Sequence, residues 1–357
     1  LSFEKKQWKT AISVYSEQDH ASQPIQQELS DEEKLLLSAA GDNWREVFIS
    51  TIRPASGFEG EIRYRLTDSL GLDSVLVYAP AADSNSFIAS FIDVGIGKGD
   101  YRIETALASG NVYQWIPPVN GIKQGRYAPV RRLNAPSQLQ IISSRLQKGT
   151  EESGQLELEW AVSKQDENRF SQLDKENDIG NALQASWKKK SEKWTSIGNY
   201  QFTQKNFKTV ERIQNIEFAR DWNLSQRSAE NQHLANLSLT KNWNPSNSIN
   251  LKTSGLSAGA DYLGFRPELN FRLKSDSWFF RGIGSVLYSK DSLTTTQFYR
   301  QKSTIGRTYS NFTTGIRSEG EQNTRALPNQ ILQENGYRFF EAELFQAYGD
   351  SSEALFT

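Results

Sequence analysis

Two pairs of glutamates stand two residues apart, Glu157 with Glu159 and Glu341 with Glu343. Each pair lies in a stretch where apolar and polar residues alternate, and alternate side chains of a β-strand share one face. Two carboxylates at a defined separation are the catalytic groups of most glycosidases, one as the general acid and one as the base or nucleophile. The alternation favours a simpler interpretation, in which these glutamates are charged side chains on the water-facing side of a strand.

Hard oxygen ligands are concentrated between residues 166 and 178, where the candidate calcium ligands are Asp166, Asp174 and Asp178. Calcium prefers carboxylate, carbonyl and water oxygens in a shell of roughly six to eight. The spacing here matches no EF-hand loop, and a solvated acidic loop is the favoured alternative. No other metal or cofactor is indicated.

Histidine chemistry has little support in this chain. His20 and His233 are its two histidines, and neither has a plausible third ligand at the spacing that a zinc site needs. They also give little basis for a Ser-His-Asp arrangement. The sequence therefore predicts no catalytic residue, and an enzyme is the less favoured hypothesis.

Gly95, Gly97 and Gly99 superficially have the spacing of a phosphate-binding loop. Such a loop needs a helix N-terminus directly after it, with backbone amides aimed at the anion. Residues 100–103 alternate like a strand instead, so we predict a glycine turn and no nucleotide site.

Composition narrows the classes of function. The 357 residues carry a net charge of −1, so there is no overall basic field to hold a nucleic acid. Cysteine is absent, which excludes disulfides and thiolate chemistry, and methionine is absent even at position 1, so we expect a mature protein or a fragment. No apolar run approaches the roughly 20 residues of a membrane helix, so a membrane role would need closed strands or an amphipathic surface.

The elements that carry these residues are mostly strands. In residues 155–163, Leu156, Leu158, Trp160 and Val162 alternate with polar residues, which is the pattern of a strand between an apolar and a polar medium. Similar segments follow as far as residue 348. We predict eleven strands in this meander, at 155–163, 182–189, 194–204, 211–222, 233–243, 248–255, 268–274, 278–288, 296–307, 311–317 and 338–348.

The connections favour a particular architecture. Short turns at 191–193, 244–247 and 275–277 tend to alternate with long connections at 164–180, 225–232, 256–267 and 319–336. Short turns on one rim and long loops on the other are typical of bacterial outer-membrane β-barrels. A soluble antiparallel sheet with one wet face also alternates, and the mean hydropathy of −0.63 favours that alternative. Eleven is an odd number for such a barrel, so strands at 8–15 or 138–146, or strands missing from this chain, would have to complete it.

A smaller β unit is predicted ahead of the meander. Residues 44–116 contain six short strands at close spacing, which indicate a sandwich-like domain. Prolines and glycines interrupt regular structure across 117–136 and predict a linker. We therefore divide the chain into an N-terminal β domain, 1–136, and an antiparallel meander, 137–357.

One helix and one further strand are expected near the N terminus. Ser30 and Glu33 have the spacing of a capping box, which predicts a helix over 31–40 that Gly41 ends. Residues 8–15 alternate as a strand.

Four segments carry a resemblance to other proteins: DENRFSQLDKENDIGNAL (166–183), VERIQNIEFARDWNL (210–224), VGIGKGDY (94–101) and GNVYQWIPPVNGIKQGRYAPV (110–130). They resemble segments of large uncharacterised proteins of Bacteroidota, which are commonly described as cell-surface or outer-membrane proteins. The resemblance contains no motif of known catalytic role. It implies an envelope location and a chain that is part of a longer protein.

The strand pattern and this resemblance together predict an all-β, exported protein of the outer membrane or cell surface of a Gram-negative bacterium. We expect a non-catalytic structural, transport or ligand-binding role, with the lipid bilayer as the main partner and envelope proteins or glycans as further ones. The alternative is a soluble cell-surface β-sandwich protein that binds carbohydrate or protein and uses some of its nine tryptophans for stacking.

Overall fold

The computed structural model describes residues 2–5, 8–20, 24, 27–56, 60–69, 72–81, 85–224, 230–327 and 336–349. The fold is all-β, as the sequence predicts, with antiparallel strands and few short helices. Two compact units divide the chain: unit 1 comprises Leu1–Glu17, Leu139–Gln165 and Glu176–Thr357, and unit 2 comprises Gln18–Gln138 and Asp166–Lys175. Within the described ranges, no helix is long and apolar enough to cross a lipid bilayer.

Unit 1 is built on one sheet of 13 strands. Apart from the pair formed by the second and third strands of the sheet, strands that are neighbours in the sheet are also consecutive along the chain. With numbering in chain order for the whole protein, these strands are β1 (Ser2–Lys5), β2 (Trp8–Gln18), β13 (Gln138–Lys148), β14 (Gln155–Asp166), β15 (Ile179–Lys190), β16 (Trp194–Thr203), β17 (Gln232–Asn244), β18 (Asn247–Ala258), β19 (Tyr262–Lys274), β20 (Trp278–Lys290), β21 (Thr295–Tyr309), β22 (Phe312–Ala326) and β23 (Tyr337–Tyr348). The predicted meander is therefore confirmed.

Several predicted boundaries in unit 1 are wrong. The strand expected at 211–222 is absent from the structure, which places a short helix, α2 (Phe218–Asp221), in that segment. The long loops expected at 256–267 and 319–336 are much shorter, because β18, β19 and β22 continue into them. At the ends of β18 and β19 the alternation is interrupted, because Leu256, Ala258 and Tyr262 are buried against Trp222 on the otherwise polar side of the sheet. The end of β22 is almost wholly polar.

The large sheet is open in the structure. Its outermost strands are β1 and β23, and among the described residues no pairing joins them. The strands expected at 8–15 and 138–146 both belong to this sheet, as β2 and β13. The sequence alone places the first of them in the N-terminal domain, but its partner β13 lies more than a hundred residues away, which a local pattern does not reveal.

Unit 2 contains three small antiparallel sheets. Its strands are β3 (Phe48–Ser50), β4 (Arg53–Pro54), β5 (Tyr64–Ser69), β6 (Leu72–Tyr78), β7 (Ser86–Ile88), β8 (Ile92–Asp93), β9 (Tyr101–Leu107), β10 (Gly110–Trp115), β11 (Tyr127–Ala128) and β12 (Val130–Arg132). They form the four-stranded sheets β10-β9-β11-β8 and β4-β7-β5-β6 and the two-stranded sheet β12-β3. The two four-stranded sheets share one apolar core, which agrees with the predicted sandwich-like unit.

The core of this sandwich is rich in tyrosine. Tyr64 and Tyr101 are buried together with Leu76. The Tyr64 hydroxyl accepts a 3.0 Å hydrogen bond from the Tyr113 amide, and the Tyr101 hydroxyl accepts one of 2.9 Å from the Leu76 amide. Burial raises the pKa of Tyr64 to about 12 and also raises the pKa of Tyr101, because the phenolate would lose its hydration.

The segment expected as a linker is part of unit 2. Within 117–136, β11 pairs with β8 and β9, and β12 pairs with β3. Leu133 is fully buried and Ala135 nearly so. Proline and glycine serve here to turn the chain between short strands, so the linker prediction was wrong.

Helix α1 (Asp31–Ser38) forms where the capping box places it. The Glu33 amide donates to Ser30 Oγ at 3.2 Å, and the Ser30 amide donates to the Glu33 carboxylate at 3.0 Å. At the other end, buried Asn168 donates from Nδ2 to the carbonyl oxygens of Leu37 and Gly41 at 2.7 and 2.8 Å. The helix is therefore capped at its C-terminal end by a residue from the acidic loop. Two further helical segments among the described residues are the 3₁₀ turns Gly41–Glu46 and Lys175–Asn177.

Candidate functional site

The sheet of unit 1 has one apolar and one polar face from β14 to β23. Cross-strand register keeps each residue type on its own side: Leu158 lies opposite Ala185, Leu251 opposite Leu269, and Ile316 opposite Leu344. The face that contains these pairs is called the apolar face. Its large side chains are exposed, and include Leu156, Leu158, Trp160, Trp187, Leu237, Leu239, Leu251, Phe265, Leu269, Phe280, Ile305, Ile316, Phe340 and Leu344.

The opposite side, called the polar face, carries most of the charge of β19 to β23. Its charged residues are Arg266, Glu268, Arg272, Lys274, Arg281, Arg300, Lys302, Arg317, Glu319, Glu321, Arg325, Glu341 and Glu343. They stand in rows across the strands because the strands are in register. One row runs from Arg272 through Arg281, Thr304 and Arg317 to Glu343.

An inserted segment between β16 and β17 covers one end of the polar face. This insert, residues 204–231, is described up to residue 224 and again from residue 230. Its Trp222 and Leu224 are buried against polar-face residues near the strand ends, among them Leu256, Tyr262 and Leu287. The Tyr262 hydroxyl donates a hydrogen bond to the Trp222 carbonyl oxygen. Apolar packing thus anchors the insert on a face that is otherwise polar.

A buried ion-pair network fixes the insert beside this core. The Asp221 carboxylate lies 3.0 Å from Arg266 Nη1 and 3.2 Å from Arg300 Nη1, and Asp221 is only 7% exposed. Arg300 Nε also donates to Glu321 Oε1 at 2.7 Å, and Tyr337 donates to the other oxygen of Glu321 at 2.9 Å. The buried carboxylates of Asp221 and Glu321 are thus paired with two arginines, Arg266 and Arg300. Charges that are removed from water need such partners.

Asn223 provides the neighbouring attachment point. It has a left-handed backbone conformation, with φ at +55°, which asparagine tolerates better than most residues. Its Nδ2 donates to Thr296 Oγ1 at 2.9 Å, and Arg325 donates to its Oδ1. Ion pairs, hydrogen bonds and packing therefore meet within three consecutive residues of the insert.

Beyond the insert, the polar face lines an open cavity of about 630 Å³. Its polar-face lining is made by strands β19 to β23 and consists of Asn270, Arg272, Arg281, Ile283, Lys302, Thr304, Arg317, Glu319, Glu341 and Glu343. Two ion pairs lie in this lining, Lys302 with Glu319 at 3.0 Å and Arg317 with Glu343 at 3.3 Å. The volume is within the range of about 300 to 1,000 Å³ that small-molecule sites occupy.

The glutamates considered for glycosidase chemistry lie on the polar face, where three of the four contact an arginine. Glu157 and Glu159 both contact Arg145, at 3.4 and 2.7 Å. In the other pair, Glu343 is bound to Arg317 and Glu341 lies directly opposite Glu319. Glu157, Glu159 and Glu343 are charged side chains matched by arginines across strands, which favours the simpler of the two interpretations for them, whereas Glu341 faces the like charge of Glu319.

The calcium candidates are distributed between the two units. Asp166 and Asp174 belong to unit 2, whereas Asp178 belongs to unit 1. Asp166 pairs with Lys175 Nζ at 2.6 Å, and Asp174 accepts a 3.3 Å hydrogen bond from the Asp42 amide. In the part of the chain that the structure describes, no group of three or more acidic or histidine side chains is placed to hold a metal ion. The calcium hypothesis gains no support.

The glycine turn has its amides engaged within the protein. Gly97 and Gly99 both donate to the Gly125 carbonyl oxygen, at 2.9 and 3.2 Å, and Gly95 donates to Asp93 at 2.9 Å. A Cβ at Gly99 would meet the backbone of Tyr127, so the glycine permits close approach of two chain segments. These amides are therefore not arranged as a phosphate cradle.

The histidine His233 lies on the apolar face. Its Nδ1 is 2.8 Å from the Tyr200 hydroxyl, and Ser257 is its direct cross-strand neighbour. Ser257 is the serine of a G-x-S-x-G sequence, Gly255 to Gly259, but that sequence lies in and just after β18, and β19 follows it. A nucleophile elbow joins a strand to a helix, so the spacing here does not form one.

Sequence reasoning missed the network around Asp221, Arg300 and Glu321. The prediction of a strand at 211–222 assigned Asp221 to the wrong type of element. The run Arg220 to Asn223 does not alternate strictly between polar and apolar residues, and this was a signal against a strand. No known protein-family model, curated protein or solved structure matches the chain. The comparisons therefore leave the resemblance to Bacteroidota envelope proteins as a hypothesis.

Proposed function

We propose that unit 1 is the wall, or part of the wall, of an outer-membrane β-barrel with a non-catalytic structural, transport or ligand-binding role. The observation that carries this proposal is the uncovered apolar face, which extends across β14 to β23 while the opposite face is polar. Water-soluble monomers rarely expose apolar patches of such continuity. Lipid on one side and water on the other is the environment in which both faces are stable.

Strand lengths support the same proposal. Strands β14 to β23 contain 10 to 15 residues each. A tilted strand needs about 9 to 11 residues to cross the hydrocarbon layer. Each strand can therefore span the layer and still extend into water at its ends.

Aromatic residues are concentrated at the rim formed by the short turns. Six exposed aromatic side chains stand within two residues of a strand end there: Trp194, Trp243, Trp278, Tyr309, Phe312 and Tyr348. Lys241 lies over the rings of Trp194 and Trp243, at 5.1 and 5.2 Å. Aromatic rings and basic groups are the residues that anchor a protein at the boundary between lipid and water.

The polar face, with its insert and cavity, would then face the water-filled interior. The insert would narrow that interior at one end, and the charged cavity would contact whatever enters it. This assigns the bilayer as the main partner, other envelope proteins or glycans as secondary ones, and the outer membrane of a Gram-negative bacterium as the location.

Two neighbouring substitutions in β19 test the proposal. Leu269 lies on the apolar face and Asn270, the next residue, lies on the polar face at the same depth. In the membrane arrangement, Leu269→Arg should cost about 2 to 4 kcal/mol near the middle of the bilayer, whereas Asn270→Arg should cost little. The folded fraction of each variant in lipid vesicles, determined from its resistance to denaturant, measures this difference.

The purified chain itself provides the second readout. We expect it to need detergent to remain monodisperse and to partition into a detergent phase. If it is monodisperse in plain buffer and Leu269→Arg behaves like Asn270→Arg, the membrane proposal fails. The soluble cell-surface alternative would then be favoured.

A further inference from the structure

Two adjoining loops of unit 2, residues 94–99 and 117–126, expose large aliphatic side chains. Ile96 is 84% exposed, Val119 57% and Ile122 64%. Loops ordinarily carry polar residues with glycine or proline, because nothing there covers an apolar side chain. A single exposed aliphatic residue needs no explanation, but three in adjoining loops form a patch that indicates an interaction site.

A tight hairpin fixes two of these side chains. Val119 and Ile122 exchange both backbone hydrogen bonds, at 3.0 and 2.9 Å, across Asn120 and Gly121. Asn120 and Gly121 have φ at +51° and +77°, and a type I′ turn needs positive φ at both of its central residues. Residues that are directly opposite in such a pair have their side chains on the same face. Val119 and Ile122 therefore form one exposed apolar pair.

The glycine turn brings Ile96 to the same hairpin. The Gly97 amide donates to the Gly125 carbonyl oxygen at 2.9 Å. A Cβ at Gly97 would stand 3.6 Å from the carbonyl oxygen of Lys123, the residue after Ile122. Ile96 and Ile122 are thus each one residue away from a backbone contact between the two loops. The glycines, which form no phosphate cradle, have the structural role of allowing this close approach.

Basic side chains surround the aliphatic ones. The two loops contain Lys98, Lys123 and Arg126 and no aspartate or glutamate. Two of these cations have carboxylate partners just outside the loops. Lys123 pairs with Asp100 at 2.7 Å, and its side chain is half exposed. Arg126 pairs with Asp93, also at 2.7 Å, and is equally exposed. Exposed pairs of this kind are weak, so both cations can also face an anionic surface.

We propose that Ile96, Val119 and Ile122, called the apolar tip, insert into the boundary between head groups and acyl chains of an anionic phospholipid layer. The basic side chains would lie among the phosphates, as lysine and arginine do at membrane interfaces. A protein partner fits less well, since a stable interface buries about 800 Å² per partner, more than three aliphatic side chains supply. Lipid sets no such minimum, because each buried methylene adds to the affinity. This contact belongs to unit 2 and does not require unit 1 to be a barrel wall.

The absence of cysteine makes a single-site labelling test direct. Ile96→Cys and Ile122→Cys, each labelled with the environment-sensitive dye NBD, are made in the full chain, which is combined with vesicles of phosphatidylcholine and phosphatidylglycerol. In both variants the dye emission should shift to shorter wavelength. It should lose intensity when the acyl chains of the lipid are brominated. Both side chains are exposed, so the substitutions leave the packing of unit 2 intact.

Leu107→Cys is the matched control. Leu107 is an exposed aliphatic residue of the same unit, at 44%. Strand β9 begins at Tyr101, whose carbonyl oxygen accepts a 2.9 Å hydrogen bond from the Arg126 amide beside the apolar tip, and it ends at Leu107. A strand rises about 3.3 Å per residue, so the two ends of β9 are about 20 Å apart. The dye at Leu107 should show neither the shift nor the quenching.

The role of the cations is tested by Lys98→Gln in the labelled Ile122→Cys chain. The ratio of lipid-bound to free tip should fall about fivefold, since one cation beside an anionic surface contributes about that factor. An unchanged ratio would overturn the preference for anionic lipid. The proposal as a whole is overturned if brominated lipid quenches neither tip position, or quenches Leu107 as strongly. A shift to shorter wavelength without quenching would assign the tip to a contact between proteins and overturn it as well.

Leu269→Cys in the same assay separates this proposal from the one for unit 1. Leu269 lies on the apolar face, in β19. Quenching at Leu269 but not at the apolar tip would support the barrel wall and overturn the contact of unit 2 with lipid. Quenching at the apolar tip but not at Leu269 would do the reverse.

Discussion

The carboxylate of Asp221 accepts a 3.0 Å hydrogen bond from Arg266 Nη1, which joins helix α2 of the insert to strand β19. Arg300 of β21 lies 3.2 Å from the other oxygen of the same carboxylate. One side chain of the insert thus bridges two strands that are not adjacent in the sheet. The position of the insert on the polar face depends on this bridge and on the packing of Trp222.

Asp221→Asn should release the insert. Both arginines would keep a second carboxylate, Glu268 or Glu321, so we expect a loss of about 1 to 3 kcal/mol, less than for a fully isolated buried pair. Limited trypsin digestion should then cut faster at Lys205, Lys208 and Arg212 of the insert. Mass spectrometry of the fragments locates the cuts.

Glu217→Gln is the control for this prediction. Glu217 and Arg220 form an exposed pair at 2.7 Å within the insert, and such pairs contribute roughly 0 to 1 kcal/mol. Cleavage of this variant should resemble that of the unaltered chain. If the Asp221→Asn variant resisted trypsin as well as the unaltered chain does, the ion pairs would not be what holds the insert.

Gly306 of β21 lies directly opposite Phe279 of β20, whose ring occupies the space where a Cβ would stand. Gly306→Ala should therefore force the ring to move and destabilise the sheet by about 1 to 3 kcal/mol. Phe279→Leu should remove part of this penalty in the double variant, because the shorter side chain leaves room for the methyl group. Unfolding by denaturant in detergent measures all three variants.

Gly198→Ala is the matched control for this effect. Gly198 is also in a strand, has no positive φ, and has nothing within 4 Å of the Cβ position. It should be neutral or slightly stabilising, since alanine loses less backbone entropy on folding than glycine does. If Gly306→Ala matched this control, the contact between the ring and the glycine would have no energetic role.

The raised pKa of Tyr64 predicts that the stability of unit 2 depends on pH. Its pKa is about 12 in the folded chain, against 10.0 for an exposed tyrosine, so the folded state holds the phenolic proton more tightly than the unfolded state. The resulting stability is fully present below pH 10 and is lost as the pH rises towards 12, by about 2 to 3 kcal/mol. Denaturant unfolding of the full chain at several alkaline pH values should show this decline.

Tyr64→Phe should lower stability at neutral pH, because the Tyr113 amide loses its acceptor. The same variant should show a shallower decline between pH 10 and pH 12. In a pH titration followed by the ultraviolet absorbance of tyrosinate, this variant should also lack one group that ionises at high pH. A decline as steep as that of the unaltered chain would contradict the assignment of the alkaline sensitivity to Tyr64.

The sequence alone determined the local features of this fold. Alternation of apolar and polar residues identified most strands of the meander and separated the two faces, because the side-chain period of a strand is a property of the strand itself. The capping box at Ser30 and Glu33 identified the start of helix α1 for the same reason, since both of its hydrogen bonds lie within four residues.

Only the tertiary structure decided which segments meet. The pairing of β2 with β13, the burial of Leu133 in a segment rich in proline and glycine, and the path of the insert all depend on contacts between residues distant in the chain. The opposition of Arg272 and Arg281 and the bridge from Asp221 to Arg266 depend likewise on register and on loop path. A shift of one residue in register would turn each of these side chains to the other face, so the partner of each side chain is settled only when the strands and the insert have packed.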